Sequence, residues 1–375
     1  MTATHKVKGW CPGALRPMMS GDGLVVRVRP FGGRLRRAQA DGIASLAAAH
    51  GNGLLDLSSR GNIQIRGVRE DSHAPLIEGL TAMGLIDPTP EIESRRNILV
   101  TPFWRPGEDA EVLSALLTEQ LALANAPDLP GKFGFAIDTG AEPVLQNASA
   151  DIRFERDAGG GLMLVADGMA QGRPVTLDTA IEAALSLAHW FIENAGGATR
   201  MKQVIADGRI PEGAFIPRQA GRAMPKPGYT PHGALVGLAF GQMQVETLST
   251  LAKHGGLRLT PWRLVLVESA RQLPDVAGVI TDPNNSFLRI TACTGAPRCS
   301  QGLGDTHKLA QHLAPHLGDH KTLHISGCSK GCAHPRPAPL TITAQTDGFA
   351  LIRDGKASDP PQHSGLSADA LKDHL

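Results

Sequence analysis

The stretches TACTGAPRCSQG (residues 291–302) and HISGCSKGCAHP (residues 324–335) carry four of the five cysteines of this 375-residue chain. The four form two pairs, separated internally by five and by three residues: Cys293, Cys299, Cys328 and Cys332. Glycines and other small residues surround each pair, so two tight loops can turn four sulfurs towards one centre. This spacing favours a cubane iron-sulfur cluster bound by all four thiolates.

Two other uses of these cysteines, a pair of disulfides or a structural zinc ion, are less well supported. The first ten residues show no apolar run followed by a small-residue cleavage site, and disulfides persist mainly in secreted proteins. Zinc sites usually space their cysteines by about two to four residues, closer than the first pair here. Thiolate ligands suit a reducing compartment, so we expect a cytoplasmic protein.

Composition sets limits on the partners. The chain has 37 Lys and Arg against 36 Asp and Glu, a balance that predicts no general attraction to nucleic acid or to a membrane surface. The apolar stretch at 181–192 is too short and too polar to span a bilayer. A chain of this length can bury two or more hydrophobic cores, so we expect several domains.

A strand-helix-strand pattern occurs twice in the sequence. Residues 23–68 predict a strand, a helix with apolar residues at helical spacing, and a pair of strands with period-two alternation. A second copy begins near residue 229, with the same order, similar lengths and a helix that again ends at a His-Gly step. Such a repeat predicts two related half-domains with a ligand-binding crevice between them.

The rest of the chain alternates helical and extended segments, which indicates a mixed α/β fold. Helices are predicted at 109–124 and 177–194, and strands at 132–137 and 162–166. Near the cysteines, strands are predicted at 286–291 and 340–344.

Two segments are predicted to lack regular structure. Residues 221–228 (GRAMPKPG) contain two prolines and two glycines and predict a hinge between the two halves. Residues 354–364 predict a solvated tail.

The cysteine order resembles the cluster motif of the sirohaem sulfite and nitrite reductase superfamily. Further segments resemble that superfamily in the same order along the chain: VVRVRPFGG (25–33), SSRGNIQ (58–64), SRRNIL (94–99) and GKFGF (131–135). The resemblance implies two halves related by a pseudo-twofold axis, each with a ferredoxin-like subdomain and a mixed α/β lobe. The implied domains are an N-terminal ferredoxin-like half-domain, a tetrapyrrole-binding lobe, a second ferredoxin-like half-domain and a cluster-binding lobe, at 1–85, 86–220, 221–285 and 286–375.

In that superfamily, basic residues surround a tetrapyrrole and its bound anion, and the last cysteine, Cys332 here, also faces the tetrapyrrole. The resemblance implies these substrate-binding residues: Arg27, Arg60, Gln64, Arg96, Asn97 and Lys132. Planar guanidinium groups suit the carboxylates of such a macrocycle. Taken singly, a strand arginine is more often solvated and Gln64 could be a sheet-edge residue, but the order of the motifs favours ligand contact.

Two positions depart from the reductase pattern. Gly134 stands where a second active-site lysine is usual, and Asp56 stands where an arginine usually precedes the Arg-x3-Gln pair. Reduction of sulfite or nitrite needs dense positive charge over the substrate anion. The loss of this charge argues against reductase activity, and Gly134 is expected to leave space for a bulkier group.

Three segments together resemble the precorrin-3B synthases of the aerobic cobalamin pathway: GWCPGALRPMMSGDGLVVRVRP (9–30), SSRGNIQIRGV (58–68) and GCSKGCAHP (327–335). That family keeps the reductase scaffold and its 4Fe-4S cluster but binds precorrin-3A where a reductase keeps sirohaem. The resemblance implies a monooxygenase that uses dioxygen to hydroxylate C20 and to close a γ-lactone with the ring A acetate. No sirohaem is then expected.

The same resemblance implies a mononuclear non-haem iron and an external reductant. We predict His334 as an iron ligand, whereas His324 fits better as a strand histidine next to a loop. The implied catalytic residues are therefore Lys132, Arg96 and His334. No G-x-G-x-x-G follows a strand, so NADH is expected to act through a partner, a flavin reductase or a ferredoxin. Cys11 is expected to be structural.

Two alternative functions stay open at this point. One is a true sirohaem-dependent sulfite or nitrite reductase, against which Gly134 argues. The other is a non-catalytic iron-sulfur electron carrier, which would leave the long sequence before the cysteines without a role.

Overall fold

The structure is a computed structural model that describes residues 12–375. The strands in that part of the chain are β1 (Met18–Ser20), β2 (Gly23–Val28), β3 (Arg34–Leu35), β4 (Leu54–Leu57), β5 (Ile63–Val68), β6 (Ile98–Val100), β7 (Phe135–Ile137), β8 (Ile152–Arg156), β9 (Leu162–Ala166), β10 (Gln171–Pro174), β11 (Ile216–Pro217), β12 (Gly228–Thr230), β13 (Gly233–Leu238), β14 (Gln242–Gln244), β15 (Leu257–Leu259), β16 (Leu264–Glu268), β17 (Val279–Ile280), β18 (Ile290–Ala292), β19 (Leu323–Ser326), β20 (Ala338–Gln345), β21 (Gly348–Gly355) and β22 (His363–Leu366).

The α-helices in the same part are α1 (Arg37–His50), α2 (His73–Ala82), α3 (Pro90–Arg95), α4 (Asp109–Ala122), α5 (Leu177–Asn194), α6 (Met201–Ala206), α7 (Val245–His254) and α8 (Thr306–Leu313). The mixed α/β prediction is confirmed. None of these helices combines the length and the apolar character needed to cross a membrane.

The two repeated units form two sheets that exchange strands. The first sheet has the order β1-β2-β5-β4-β14, and the second has the order β12-β13-β16-β15-β3 with β17 beside β13. Strand β3 belongs by sequence to the first unit but pairs with β15 of the second. Strand β14 belongs to the second unit but pairs with β4 of the first. Each sheet is therefore completed by the other unit.

The strand exchange has the same local cause in both units, because the same elements follow one another in each. A long strand leads into a one-turn 3-10 helix with a left-handed residue, Gly32 at φ 60° and Phe240 at φ 59°, and this turn redirects the chain before a short strand and a helix. Helices α1 and α7 then pack together, and their apolar residues share one buried core. In α1 the buried residues recur at helical spacing: Ala40, Ile43, Ala44 and Ala47.

The other two sheets form the lobes. One has the order β11-β10-β9-β8-β7-β6 and is packed against α4 and α5 through a core of its own. The other has the order β18-β19-β20-β21-β22, in which β18, β19 and β20 are parallel and α8 lies between β18 and β19 in the chain. The division of the chain at residues 85, 220 and 285 stays a prediction.

Several predicted segments differ from the structure in detail. The predicted helix at 177–194 is found as α5, whereas the one at 109–124 ends two residues earlier. The predicted strand at 286–291 begins as a 3-10 turn and becomes extended only at Ile290. The prediction of a solvated tail at 354–364 was wrong at both ends, because β21 continues to Gly355 and His363 opens β22 beside it.

The burial of Leu35 in the exchanged strand β3 predicts that this residue contributes to the stability of the fold. Leu35 is fully buried in the core shared by both units and lies opposite Leu257. Leu35→Ala should lower the free energy of unfolding by about 2–5 kcal/mol, because it leaves a cavity in that core. Urea unfolding followed by circular dichroism measures the loss. Leu116→Ala, at a position that is 39% exposed, is the control, and an equal loss in both variants would contradict the prediction.

Candidate functional site

The largest cavity, of about 910 Å³, lies where the first sheet, the second sheet and the cysteine loops meet. All four predicted cluster cysteines line it. The other lining residues that carry polar side chains include Asp56, Gln64, Gln242, Arg263, His324 and His334.

The cysteine loops meet because they follow neighbouring parallel strands. Ala292, the last residue of β18, lies opposite Ile325 of β19, so the chain leaves both strands at the same edge of the sheet. Cys293 directly follows β18, and Cys328 comes two residues after β19. The thiols at 293, 299, 328 and 332 are all free.

Glycines bring the two loops into contact. A Cβ atom at Gly327 would lie 3.1 Å from the Cα of Gly295 and 3.4 Å from the Cα of Gly302. The N–H of Gly327 donates a hydrogen bond of 3.1 Å to Sγ of Cys293. A side chain at this position would push the loops apart.

The surroundings of Cys332 favour its protonated thiol over the thiolate. Burial raises the pKa of Cys332, and the neighbouring thiols Cys293, Cys328 and Cys299 raise it further, although Lys330 acts in the opposite direction. Within residues 12–375, no group of three or more His, Cys, Asp or Glu side chains is arranged to hold one metal ion. Four cysteine side chains that line one cavity match the number of thiolate ligands that a 4Fe-4S cluster takes.

A polar row crosses the first sheet on the side of this cavity. In register across β2, β5, β4 and β14 lie Arg27, Gln64, Asp56 and Gln242. Nε and Nη2 of Arg27 donate to Oε1 of Gln64 at 3.0 and 2.7 Å, and Nε2 of Gln242 donates to Oδ1 of Asp56 at 2.7 Å. Sequence reasoning found Arg27 and Gln64 but missed Gln242, which belongs to the other repeated unit.

Arg60 and Lys132 meet at a different place. Nη2 of Arg60 donates to the backbone oxygen of Lys132 at 2.8 Å, and the Lys132 side chain is exposed. Arg60 lines a small separate cleft together with Asn97 and Gly134. Their contact with a substrate stays a prediction.

Gly134 does not open space in the large cavity. It is buried, and a Cβ atom there would lie 3.0 Å from the backbone oxygen of Asn97. The expectation that Gly134 makes room for a bulkier group above a macrocycle was therefore wrong.

Arg96 and Asn97 have internal partners. The guanidinium of Arg96 is buried, donates twice to the Asp87 carboxylate at 2.7 Å and once to the backbone oxygen of Arg29, and stacks on Phe31. The side chain of Asn97 donates to the backbone oxygen of Phe133 at 3.0 Å. Asn97 therefore holds the segment that carries Lys132, whereas Arg96 fixes its own segment against Asp87 and the backbone of Arg29. Direct substrate contact by either stays a prediction.

His324 and His334 lie side by side in the cavity wall, with ring centroids 5.5 Å apart. His324 is 1% exposed, and neither of its ring nitrogens has a hydrogen-bond partner among the described residues. Burial lowers the pKa of His324 to about 4, so the ring is neutral and able to bind a metal. The sequence favoured His334 over His324 as a ligand because it does not reveal that His324 is buried.

Cys11, which was expected to be structural, lies outside the described residues.

Comparisons with known proteins define the class. Residues 16–83 match the nitrite/sulfite reductase ferredoxin-like half domain. The fold is similar to that of the NirA protein of Mycobacterium tuberculosis, with a TM-score of 0.63 and 20% sequence identity over 93% of this chain and 79% of that protein. The chain thus has a fold of nitrite/sulfite reductase type.

A more specific similarity extends along nearly the whole chain. A precorrin-3B synthase from Sinorhizobium sp. is 29% identical to it, over 96% of this chain and 86% of the relative. The resemblance to precorrin-3B synthases within the reductase superfamily is confirmed.

The burial of the Arg96–Asp87 ion pair predicts that loss of one partner destabilises the fold. Asp87→Ala should lower the free energy of unfolding by about 3–5 kcal/mol, because it leaves the guanidinium of Arg96 buried without its counter-charge. Glu91→Ala removes a pair with Arg16 whose side chains are both mostly exposed and should cost far less. Urea unfolding of the two variants compares them, and similar losses would show that the buried pair does not anchor this region.

Proposed function

We propose that this protein is an oxidoreductase of cobalamin biosynthesis that converts precorrin-3A to precorrin-3B with dioxygen. The observation that carries the proposal is the large cavity, which is lined by four free thiols and by three residues of the polar row, Asp56, Gln64 and Gln242. It occurs in a chain similar to a precorrin-3B synthase over 96% of its length. One oxygen atom of dioxygen enters C20 as a hydroxyl, and the other leaves as water with two electrons and two protons. The ring A acetate then closes the lactone.

Cys293, Cys299, Cys328 and Cys332 would hold a 4Fe-4S cluster. When bound, such a cluster passes electrons one at a time to the reaction. The glycine contacts that join the loops and the N–H···S bond from Gly327 to Cys293 support this assignment. NADH would be the ultimate reductant, acting through a flavin reductase or a ferredoxin, in the cytoplasm and without a membrane or nucleic-acid partner.

The substrate would be held by its carboxylates. Arg27 lies at one end of the polar row, and Arg60 lies beside the backbone of Lys132. These cationic groups, with Gln64, would bind and orient acidic arms of the macrocycle so that C20 is presented to the oxidant. Asn97 would position the 131–133 segment through its bonds to the backbone oxygens of residues 131 and 133. Arg96, paired with Asp87, would fix the start of the following strand, and Lys132 would stabilise developing negative charge.

His334 would bind the mononuclear iron that supplies the oxygen chemistry. The neutral, buried ring of His324 next to it supports a two-histidine site, in which His324 takes a role that its sequence context did not favour. Both rings line the cavity that the cysteines line, so iron there would lie in the same chamber as the substrate.

The cluster assignment is tested by four Cys→Ser variants, purified under nitrogen, with iron and acid-labile sulfide measured in each. Cys293→Ser, Cys299→Ser, Cys328→Ser and Cys332→Ser should each lose most of the cluster, because a hydroxyl is a poor ligand for it. Cys11→Ser is the control and should keep a full cluster. Full occupancy in any of the four variants would refute the assignment, and sirohaem bands in the spectrum would identify a reductase instead.

The reaction is tested with ¹⁸O-labelled dioxygen, reductant and precorrin-3A. The new C20 hydroxyl should carry the label, and His334→Ala should slow turnover at least tenfold while the cluster absorption stays unchanged. Label arriving from water, or rapid sulfite reduction by the same preparation, would remove the proposed function. Full activity of His334→Ala would remove only the role of that histidine.

A further inference from the structure

The polar row contains a carboxylate that the proposed function does not use. Asp56 lies in β4 between Gln64 of β5 and Gln242 of β14, and all three side chains line the large cavity. Residues in register on neighbouring strands point to the same face of a sheet. The centre of the row therefore presents an acceptor flanked by two amides.

The internal bonds of Asp56 leave acceptor capacity. Oδ1 accepts one hydrogen bond from Gln242, and Oδ2 lies 3.4 Å from Nη1 of Arg66. Each carboxylate oxygen can accept about two hydrogen bonds, so a ligand in the cavity can still donate to it. Arg66 does not neutralise Asp56 alone, since its shorter contacts, at 2.6 and 3.1 Å, go to Asp22.

A buried, incompletely matched carboxylate is costly without a ligand. Burial raises the pKa of Asp56, although Arg66 and Gln242 oppose that shift, so the ionised form has fewer favourable contacts than it would have in water. A hydrogen-bond donor brought by a ligand would offset this cost. An acidic arm of a ligand, in contrast, would be repelled.

We propose that Asp56 is a specificity-determining residue that accepts a hydrogen bond from a pyrrole N–H of a metal-free tetrapyrrole and so selects against metal-centred rings. The inference rests on the proposed function. A tetrapyrrole with a metal in its centre has lost its ring N–H groups, so it offers nothing that this carboxylate can accept. The same position is an arginine in the reductase pattern, and an arginine cannot accept a hydrogen bond.

Binding of two macrocycles with the same carboxylates tests the inference. The full-length protein is titrated with uroporphyrin III and with its copper(II) chelate, and absorbance changes give each dissociation constant. The wild type should bind the metal-free ring at least tenfold more tightly. Asp56→Asn should reduce that ratio about tenfold, since a charge-assisted hydrogen bond is lost, and Asp56→Arg should abolish the preference.

Two further variants separate recognition from folding. Asp56→Glu keeps the carboxylate and should keep a preference for the metal-free ring. Asp71→Asn changes an exposed carboxylate outside the cavity lining that has no contact with Arg66 and should leave the ratio unchanged. Equal affinities in the wild type, or an unchanged ratio in Asp56→Asn, would overturn the inference while tetrapyrrole binding stands. Binding of neither macrocycle by the wild type would remove the proposed function and the inference together.

Discussion

The rest of the structure depends on the exchange of short strands between the two repeated units. β3 and β14 contain only two and three residues, so their ladder bonds alone would contribute little. They are held because α1 and α7 pack into one core shared by both units. Removing either strand would expose a sheet edge and part of that core, which is why we treat the two units as one cooperative body.

Ion pairs and hydrogen bonds of arginine side chains also join the two units to each other and to the adjoining lobe. Glu268 of the second unit accepts from Arg34 of the first unit at 2.7 Å and from Arg258 at 2.6 Å. Arg258 also donates to the backbone oxygen of Pro102 in the adjoining lobe and lies over the ring of Trp104. Arg34 and Arg258, like Arg96 in its bond to the backbone oxygen of Arg29, use their guanidinium groups to join segments far apart in the chain. A basic residue in a motif, such as Arg96, can thus have a structural role.

The cysteine loops line one chamber together with Asp56, Gln64 and Gln242 of the polar row, and the loops and the row are built differently. The loops are local: two neighbouring parallel strands end together, and glycines let the loops that follow touch. The row is assembled across four strands, and its neighbours Asp56 and Gln242 are 186 positions apart along the chain. The chamber therefore exists only when the two units have exchanged strands.

The sequence by itself determined the features that depend on local order. It predicted the repeat, the mixed α/β class, the helix Leu177–Asn194 and the pairing of cysteines on two glycine-rich loops, because periodicity and turn residues act over a few neighbours. Only the tertiary structure decided that Gln242 lies beside Asp56 and that Arg96 is paired with Asp87. It also decided that His324 is buried with no hydrogen-bond partner for its ring nitrogens in residues 12–375. Those outcomes depend on strand register and on packing between distant segments, and the periodicity of a single segment carries no information about either.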